Sequence, residues 1–389
     1  MFQLDSERVA RGASSRAVVV TATVLALIAW FRSSPGFFLH GNSYVSDWIY
    51  THYLFDYADG FVKRGLVGQV FSWVLDKTTY KAVTYFSYAV FTLLAALLCY
   101  LFSSHWANNR ERAGAFLFAL LAITSPATIQ HFAIDVGRFD IAIYCIAIAA
   151  LVLIHKLSMR SEFFLPILLT LLLLVATFIH EAAFVIVAPM VFLFWFHGSP
   201  ALKRLPIKLA SFAVVLVVTY LVSTHGSYTH LPLDLHLDRL RSEYGGRVHE
   251  NSLAVIHNTS LQENITLSLT EGFTWKKMDD YAAFIFFMAP FFYLLYRFAK
   301  SNKPYFDLKT ALLLASCFSP LVLYPLGIDH FRWWALSLTN LFIITSFLML
   351  SEKAFLESVF KFLEEHKRLV IGISVFGLLT GPIGITSML

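Results

Sequence analysis

The feature that most constrains this chain is a recurrence of long apolar runs, separated by short charged gaps, from Ala17 almost to the last residue. An α-helix rises 1.5 Å per residue and a bilayer's hydrocarbon core is about 30 Å thick. A run of about 20 apolar residues therefore crosses it with its backbone groups paired internally. Such runs are read at 17–34, 83–103, 113–130, 141–157, 163–179, 182–197, 209–224, 281–298, 310–327, 334–350 and 369–388. They predict an all-α, polytopic helical membrane protein with about eleven transmembrane helices, forming one integral membrane domain over 1–389. Only 14% of the 389 residues are charged, against about a quarter in soluble domains, which excludes a cytosolic enzyme. The first run follows a short Arg-bearing segment without a small-residue cleavage pattern and reads as a retained signal-anchor. Cys99, Cys145 and Cys317 all fall in apolar runs and define neither a disulfide framework nor a thiolate metal site.

Orientation follows from the basic residues. With the N-terminus in the cytoplasm, the short loops around Arg110, Arg160, Lys203, Lys303 and Lys367 all lie inside, as the positive-inside rule requires. The pI near 9 then reports topology, and no basic-aromatic motif for nucleic acid is present. No internal repeat is visible. Asn258 and Asn264 begin glycosylation-type triplets in an outer loop, a pattern common by chance.

The unusual polar residues share one side. Four outer segments carry clustered ionisable residues at membrane boundaries: Asp56, Asp59, Lys63 and Arg64; Asp135, Arg138 and Asp140; His180 and Glu181; and Asp329, His330 and Arg332. Charge beside hydrocarbon is expensive unless paired or facing a wet cavity, so such groups are candidate site residues. Each has a plainer reading. Asp135/Arg138 and Asp329/Arg332 have the i,i+3 spacing of intrahelical pairs, His180-Glu181 could be a solvated turn, and Asp56 to Arg64 the polar face of an interfacial helix.

Two outer loops are long. In the first, 35–82, the stretches Ser46 to Phe55 and Gly68 to Lys77 read as short amphipathic helices. Trp48, Ile49 and Tyr53 on one and Val70, Phe71 and Val74 on the other suit the headgroup region. Gly60, Gly65 and Gly68 bracket the charged turn between them. The second loop, 224–280, contains His225, His230, His236, His249 and His257 at irregular spacings that read as solvated histidines rather than metal ligands. Gly245-Gly246 offers a hinge, and a loop closing over substrate would exclude water, so it reads as a lid.

These parts suit glycosyl transfer. A carboxylate can take the proton from an acceptor hydroxyl as it attacks an anomeric carbon, while guanidinium groups stabilise a departing lipid phosphate. The layout resembles the GT-C superfamily of membrane glycosyltransferases. Asp56 and Asp59 lie in the first outer loop between two juxtamembrane helices, and the largest outer loop follows the seventh span. The arginine-bearing outer loops are also similar to those of bacterial O-antigen and capsule polymerases. The resemblance implies an inverting mechanism with a polyprenyl-linked sugar donor and a glycan or lipid-linked acceptor, at the periplasmic face of a bacterial inner membrane. It implies Asp59 or Asp56 as catalytic base. Arg64, Lys63, Arg138 and Arg332 would hold the lipid phosphate, and Asp135, His180, Glu181, Asp329 and His330 the sugar or acceptor. No cofactor is required. A divalent metal through Asp56, Asp59 or Glu181 is not defined by the spacing, and His180-Glu181 lacks the second histidine of a zinc hydrolase helix. A lipid or solute transporter is the rival of another class, but it would place ionisable residues near mid-span, where this sequence has almost none. A scaffold protein is the third reading.

Overall fold

In the computed structural model the described residues are 2–34, 37, 39, 45–58, 60–157, 164–198, 205–228, 230–257, 265–266, 268–272, 274–275, 278–302, 307–327 and 329–383, with the backbone alone described for 2–15, 279 and 280. Among them there is no β-strand. In chain order the helices are α1 (Phe2–Ser33), α2 (Asp47–His52), α3 (Gly65–Val74), α4 (Tyr80–Asn108), α5 (Ala113–Thr124), α6 (Ile129–Ile134), α7 (Phe139–Leu157), α8 (Phe164–Ile179) and α9 (Ala183–Ile186). They continue with α10 (Ala188–His197), α11 (Leu205–His225), α12 (Leu233–Tyr244), α13 (Glu250–His257), α14 (Met278–Ser301), α15 (Leu308–Ser316), α16 (His330–Ser351), α17 (Lys353–Glu365) and α18 (Lys367–Thr380).

Among the described residues seven segments are long and apolar enough to cross a bilayer: Arg16–Ser33, Tyr80–Asn108, Ala113–Ile134, Phe139–Leu157, Leu205–His225, Tyr281–Ser301 and His330–Ser351. The bent pair Leu308–Ser316 and Ser319–Leu326, 42° apart, makes an eighth if it is one span. The other runs expected to cross form shorter helices, α8 with 16 residues, α10 with 10 and α18 with 14. Their apolar stretch is cut by polar or proline-bearing breaks, His180-Glu181 before α9 and Pro189 at the start of α10. Ala113–Ile134 and His330–Ser351 are the inner staves, with 83% and 67% of their positions buried, against 22% for Leu205–His225. The outward side chains of α11 include Leu209, Val214, Val217 and Leu221, a face that water would not tolerate and lipid accepts.

One inner stave, Ala113–Ile134, is broken, and the carbonyls of the break are satisfied by side chains and backbone around it. Pro126 interrupts Ala113–Ile134 because it has no N–H and its ring obstructs the preceding turn. The carbonyls released there find new donors. Ala122 accepts from the Thr128 hydroxyl at 2.6 Å, Thr124 from Gln130 Nε2 at 2.8 Å, Pro126 from the Ile383 amide at 3.1 Å, and Ala127 from the Thr339 hydroxyl at 2.6 Å. Asn340 on α16 does the same for two other breaks, its Nδ2 donating to Ile186 O at 2.8 Å and Cys317 O at 3.2 Å. Irregular backbone at membrane depth is tolerated where protein supplies such partners, so α16 pins three broken segments around itself.

The first long loop forms two helices as the amphipathic pattern predicts, with different boundaries and one different environment. α2 stops at His52 because the Tyr53 and Leu54 amides turn back to Tyr50 O and Thr51 O at 3.0 and 3.1 Å. α3 begins at Gly65, directly after the Lys63-Arg64 turn. α3 keeps an outward apolar face of Val70, Trp73 and Val74. α2 does not lie open at a headgroup layer. Ile49, Tyr50, Thr51 and His52 are buried, because α13 from the second long loop covers it. The His249 amide donates to Thr51 Oγ1 at 2.8 Å, the Ser252 hydroxyl to Trp48 O at 2.8 Å, and Arg247 pairs with Asp47 at 3.1 Å. Within that cap His236 is buried rather than solvated, hydrogen-bonded to His257 at 2.9 Å and stacked on Tyr228. Gly245, the first of the Gly245-Gly246 pair, closes α12 at φ 89°.

Candidate functional site

The site is built from turns at the end of the bundle where Ala113–Ile134 finishes and α7 and α16 begin. The first is Lys63-Arg64. Gly226 lets the end of α11 come against it: a Cβ there would lie 2.8 Å from the Lys63 amide nitrogen, which donates to Gly226 O at 2.8 Å. A Cβ on Gly68 would be driven into the Phe55 carbonyl, so α3 sits directly on the backbone that precedes the turn. Between these two contacts Arg64 is held at φ 65°, a left-handed conformation that a long side chain adopts only when its surroundings impose it.

So placed, Arg64 makes a two-pronged pair with Glu181, Nη2 to Oε1 at 2.6 Å and Nε to Oε2 at 3.1 Å, and its Nη1 lies 3.4 Å from His52 Nε2. The Ala182 amide donates to His180 Nδ1 at 3.1 Å, so the neutral ring carries its proton on Nε2. The 3.3 Å approach of the same Nδ1 to Glu181 is then no ion pair. Burial first, and then the Arg64 charge, press His180 down to about 3. Burial, Arg64 and His180 likewise hold His52 well below the ordinary imidazole range. For Glu181 burial works against ionisation, but Arg64 outweighs it and holds the carboxyl well below the ordinary range. Lys63, also buried, is lowered to about 8 by burial, with Glu181 pulling the other way and Arg64 adding to the fall.

The second set of turns joins it. Gly137 turns the chain at φ 102°, where a Cβ would also meet Ser87 and Ile49, and Tyr53 donates to its carbonyl at 2.9 Å. This presents Asp135, Arg138 and Asp140 to the start of α16. Asp135 and Arg138 pair locally, and so do Asp329 and Arg332, at 2.9 Å. The spacings do give local pairs, the first across the turn between α6 and α7 rather than within a helix, but they account for only part of the bonding. Arg138 Nη1 also reaches Asp329 Oδ2 at 3.2 Å, and Arg332 grips Asp140 with Nε and Nη2, each at 2.8 Å. Phe139 touches His52, and the charges of Asp140 and Arg332 are felt at His180, so the two sets form one cluster. Four basic side chains, Lys63, Arg64, Arg138 and Arg332, stand among four carboxylates, Asp135, Asp140, Glu181 and Asp329. With neutral histidines the formal charges cancel.

Arg138 has a second neighbourhood. It also lines a small cleft of about 80 Å³ whose other walls include Val67, Phe86, Val90, Ala142 and Ile179. The cluster thus meets an apolar recess at one guanidinium-bearing side chain.

Two expected residues, Asp56 and His330, stand elsewhere, and a third is not described. Asp56 turns its Oδ1 to the Ala58 amide at 3.0 Å, closing its own turn, and its charge is felt at Tyr244 of the cap. Asp59 lies outside the described residues. His330 is buried in an aromatic stack, hydrogen-bonded to Tyr281 and parallel to Tyr324 with centroids 4.4 Å apart. Asp140 and His52 are participants without an assigned role in the sequence reading. Asp140 was detectable as the third charge of its segment; His52 carries no sequence signal beyond its residue type. Among the described residues no three His, Cys, Asp or Glu side chains are grouped so as to hold a metal ion.

Such a cluster can bind and orient an anion beside an apolar recess, and its doubly held carboxylates make poor proton acceptors. No family model matches the chain, and neither does any curated protein or solved structure with which it was compared.

Proposed function

We propose that the chain is an inverting membrane glycosyltransferase, moving a sugar from a polyprenyl-phosphate-linked donor to a hydroxyl of a glycan or lipid-linked acceptor. The observation that carries the reading is Arg138, whose guanidinium belongs to the charge cluster and which is also a lining residue of the apolar cleft. A lipid phosphate joins a compact anion to a long hydrocarbon chain, and this junction is complementary to both. The resemblance to GT-C enzymes and the positive-inside count support a periplasm-facing site in a bacterial inner membrane.

In the proposed step the acceptor oxygen attacks the anomeric carbon and the anomeric carbon–oxygen bond to phosphate breaks. The lipid phosphate leaves with the bonding electrons, and the hydroxyl proton passes to a carboxylate. Arg138 and Arg332 take up the charge that develops on the leaving phosphate. Asp56 and Asp59 are the candidates for the base, because Glu181, Asp140, Asp135 and Asp329 are each engaged by a guanidinium. His180, with its proton on Nε2, is the group suited to a sugar hydroxyl.

The test is turnover by purified protein in lipid nanodiscs, with polyprenyl-phosphate-linked and polyprenyl-pyrophosphate-linked sugars as donors. Asp56→Ala or Asp59→Ala is expected to lose turnover by about a hundredfold or more while still binding donor, the usual scale of general-base catalysis. Preference for a pyrophosphate-linked oligosaccharide would make the enzyme a repeat-unit polymerase of the O-antigen or capsule type. Wild-type protein that is folded yet neither binds nor turns over any such donor overturns the proposal, and coupled solute or lipid movement would replace it.

A further inference from the structure

We infer that Asp329 is a placeholder anion, its carboxylate seated between Arg138 and Arg332 where a lipid-borne phosphate binds, and that it swings to the start of α16 when the phosphate arrives. The inference rests on the lipid-phosphate reading above and adds to it the mode of entry.

The first observation is convergence on one atom. Asp329 Oδ2 accepts from Arg138 Nη1 at 3.2 Å and from Arg332 Nη1 at 2.9 Å. Two guanidinium groups aimed at a single oxygen form a seat for an anionic oxygen, and without one they would repel each other. The second is accessibility. Asp140, Arg332's other partner, is 2% exposed and doubly held, and Asp135 is 16% exposed, whereas Asp329 is 42% exposed. Asp329 is the carboxylate an incoming ligand reaches and the one that can leave.

The third observation supplies the place it leaves for. Asp329 is the N-cap residue of α16, its backbone carbonyl accepting the Trp333 amide at 3.2 Å, yet its side chain makes no capping bond. An aspartate at this position ordinarily accepts an amide of the first turn, here Phe331 or Arg332, and its charge is favoured by the positive end of the helix dipole. The carboxylate therefore has two destinations within reach of side-chain rotation. In one it bridges the arginines, and in the other it caps α16 and uncovers both.

The charges favour such a move, because it sets the carboxylate against the positive end of the α16 dipole instead of against the incoming phosphate. The cluster is formally neutral, and adding phosphate to it would leave a net negative charge in a largely buried site, at considerable cost. Exchanging a carboxylate for the phosphate keeps the arginines paired throughout and avoids exposing two bare guanidinium groups beside lipid. Asp140 and Asp135 hold the arginines in position during the exchange, and Asp329 alone changes partner.

The test is equilibrium binding of undecaprenyl phosphate in nanodiscs, with inorganic phosphate as a second probe, for wild type, Asp329→Asn, Asp329→Ser and Asp140→Asn. Asn and Ser both retain capping ability without the charge, so either one serves if the other misfolds. Both Asp329 variants are expected to bind undecaprenyl phosphate about tenfold or more tightly than wild type, the scale of a hydrogen bond to a charged group. They should also show a larger ligand-induced rise in melting temperature, since their empty seat is the less stable. Asp140→Asn is expected to bind more weakly. In protein labelled with ¹⁵N-arginine, undecaprenyl phosphate should shift the Arg332 amide resonance in wild type as the cap forms. Equal or weaker binding of both lipid and inorganic phosphate by both Asp329 variants overturns the placeholder role and leaves the donor reading intact. Absence of undecaprenyl phosphate binding in wild type and all variants overturns both. Tighter inorganic phosphate with unchanged lipid overturns the lipid-borne source and assigns the seat to a free phosphate.

Discussion

Two arginine–carboxylate clusters sit at opposite ends of the same buried staves and are built differently. At one end Arg112, just before α5, pairs with Glu357 at 2.6 Å and Glu364 at 3.2 Å, tying α17 to the start of α5. At the other Arg332, at the start of α16, pairs with Asp140 and Asp329. The chemistry of the bonds is the same. Arg112 and its partners are all a third or more exposed, so water shares their charges and the pairs act as light fasteners. Arg332 and Asp140 are 11% and 2% exposed, in surroundings where desolvation costs more than a surface pair returns. A fold that only needed α16 held to α7 could use apolar packing there. The retained charge at one end, next to an apolar cleft, is what separates a site from a fastener.

The contrast is broken most directly by removing one partner at each end. Arg332→Ala leaves Asp140 buried and unpaired and is expected to cost about 3–5 kcal/mol, read by denaturation in detergent micelles. The sharper variant replaces both, Asp140→Leu with Arg332→Met. Exchange of a buried pair for apolar side chains is commonly neutral or stabilising, so stability should return to near the wild-type value while donor binding stays lost. If the double variant also binds donor, the buried pair is structural and the contrast collapses.

Gly68→Ala comes next. The new methyl group meets the Phe55 carbonyl, an atom of backbone that cannot step aside, so α3 must shift. A loss of about 1–3 kcal/mol is expected from the overpacking, together with weaker donor binding because Arg64 moves with the turn it follows. An unchanged melting temperature would mean that α3 is not seated on residues 53–55 as described.

How much of this was legible in the residues divides along the same line. The helical membrane class follows from apolar runs against charged gaps, a local signal, and the four charged boundary segments stand out because charge beside lipid is costly. Their assembly was not legible, since Arg138 meets Asp329 across 191 residues and Arg332 meets Asp140 across 192. Local i,i+3 spacing explains half of each arginine's bonding and conceals the other half. The burial of α2 was hidden for a similar reason: its amphipathic pattern is that of a headgroup helix, and only α13, some 200 residues on, turns the exposed face into an interior one. His330 looked like a member of its charged segment, but the α-helical turn that aims Arg332 at Asp140 sends His330 into the stack with Tyr281 and Tyr324.

The acid response separates the groups of the site by pH. His180 titrates near 3 in the folded protein against about 6.5 when unfolded, so below 6.5 the unfolded chain binds the extra proton and stability falls with acidity. His52 is lowered in the same direction and adds to the effect. Glu181 and Asp329 are depressed carboxylates whose contribution is complete above their unfolded values of about 4 and is lost only below that. Between pH 6.5 and 4.5 the slope therefore belongs to the histidines. His180→Gln should make the fall shallower from about pH 6.5 down to about 3 in a melting-temperature series, with the His52 and carboxylate parts of the loss left in place. An unaltered slope would place His180 in contact with water.

The smallest effect is expected at the other end. Arg112→Ala removes two partly exposed pairs, and pairs of that kind are worth about 0.2–1 kcal/mol each. Part of even that loss is screened, so in high salt the variant and the wild type should melt almost together. Donor binding should be untouched, because Arg112 and the Arg332 cluster are separated by the whole length of Ala113–Ile134. A loss as large as that of Arg332→Ala would mean that exposure does not distinguish the two ends. The reason for assigning chemistry to one of them would then rest on the apolar cleft beside Arg138 alone.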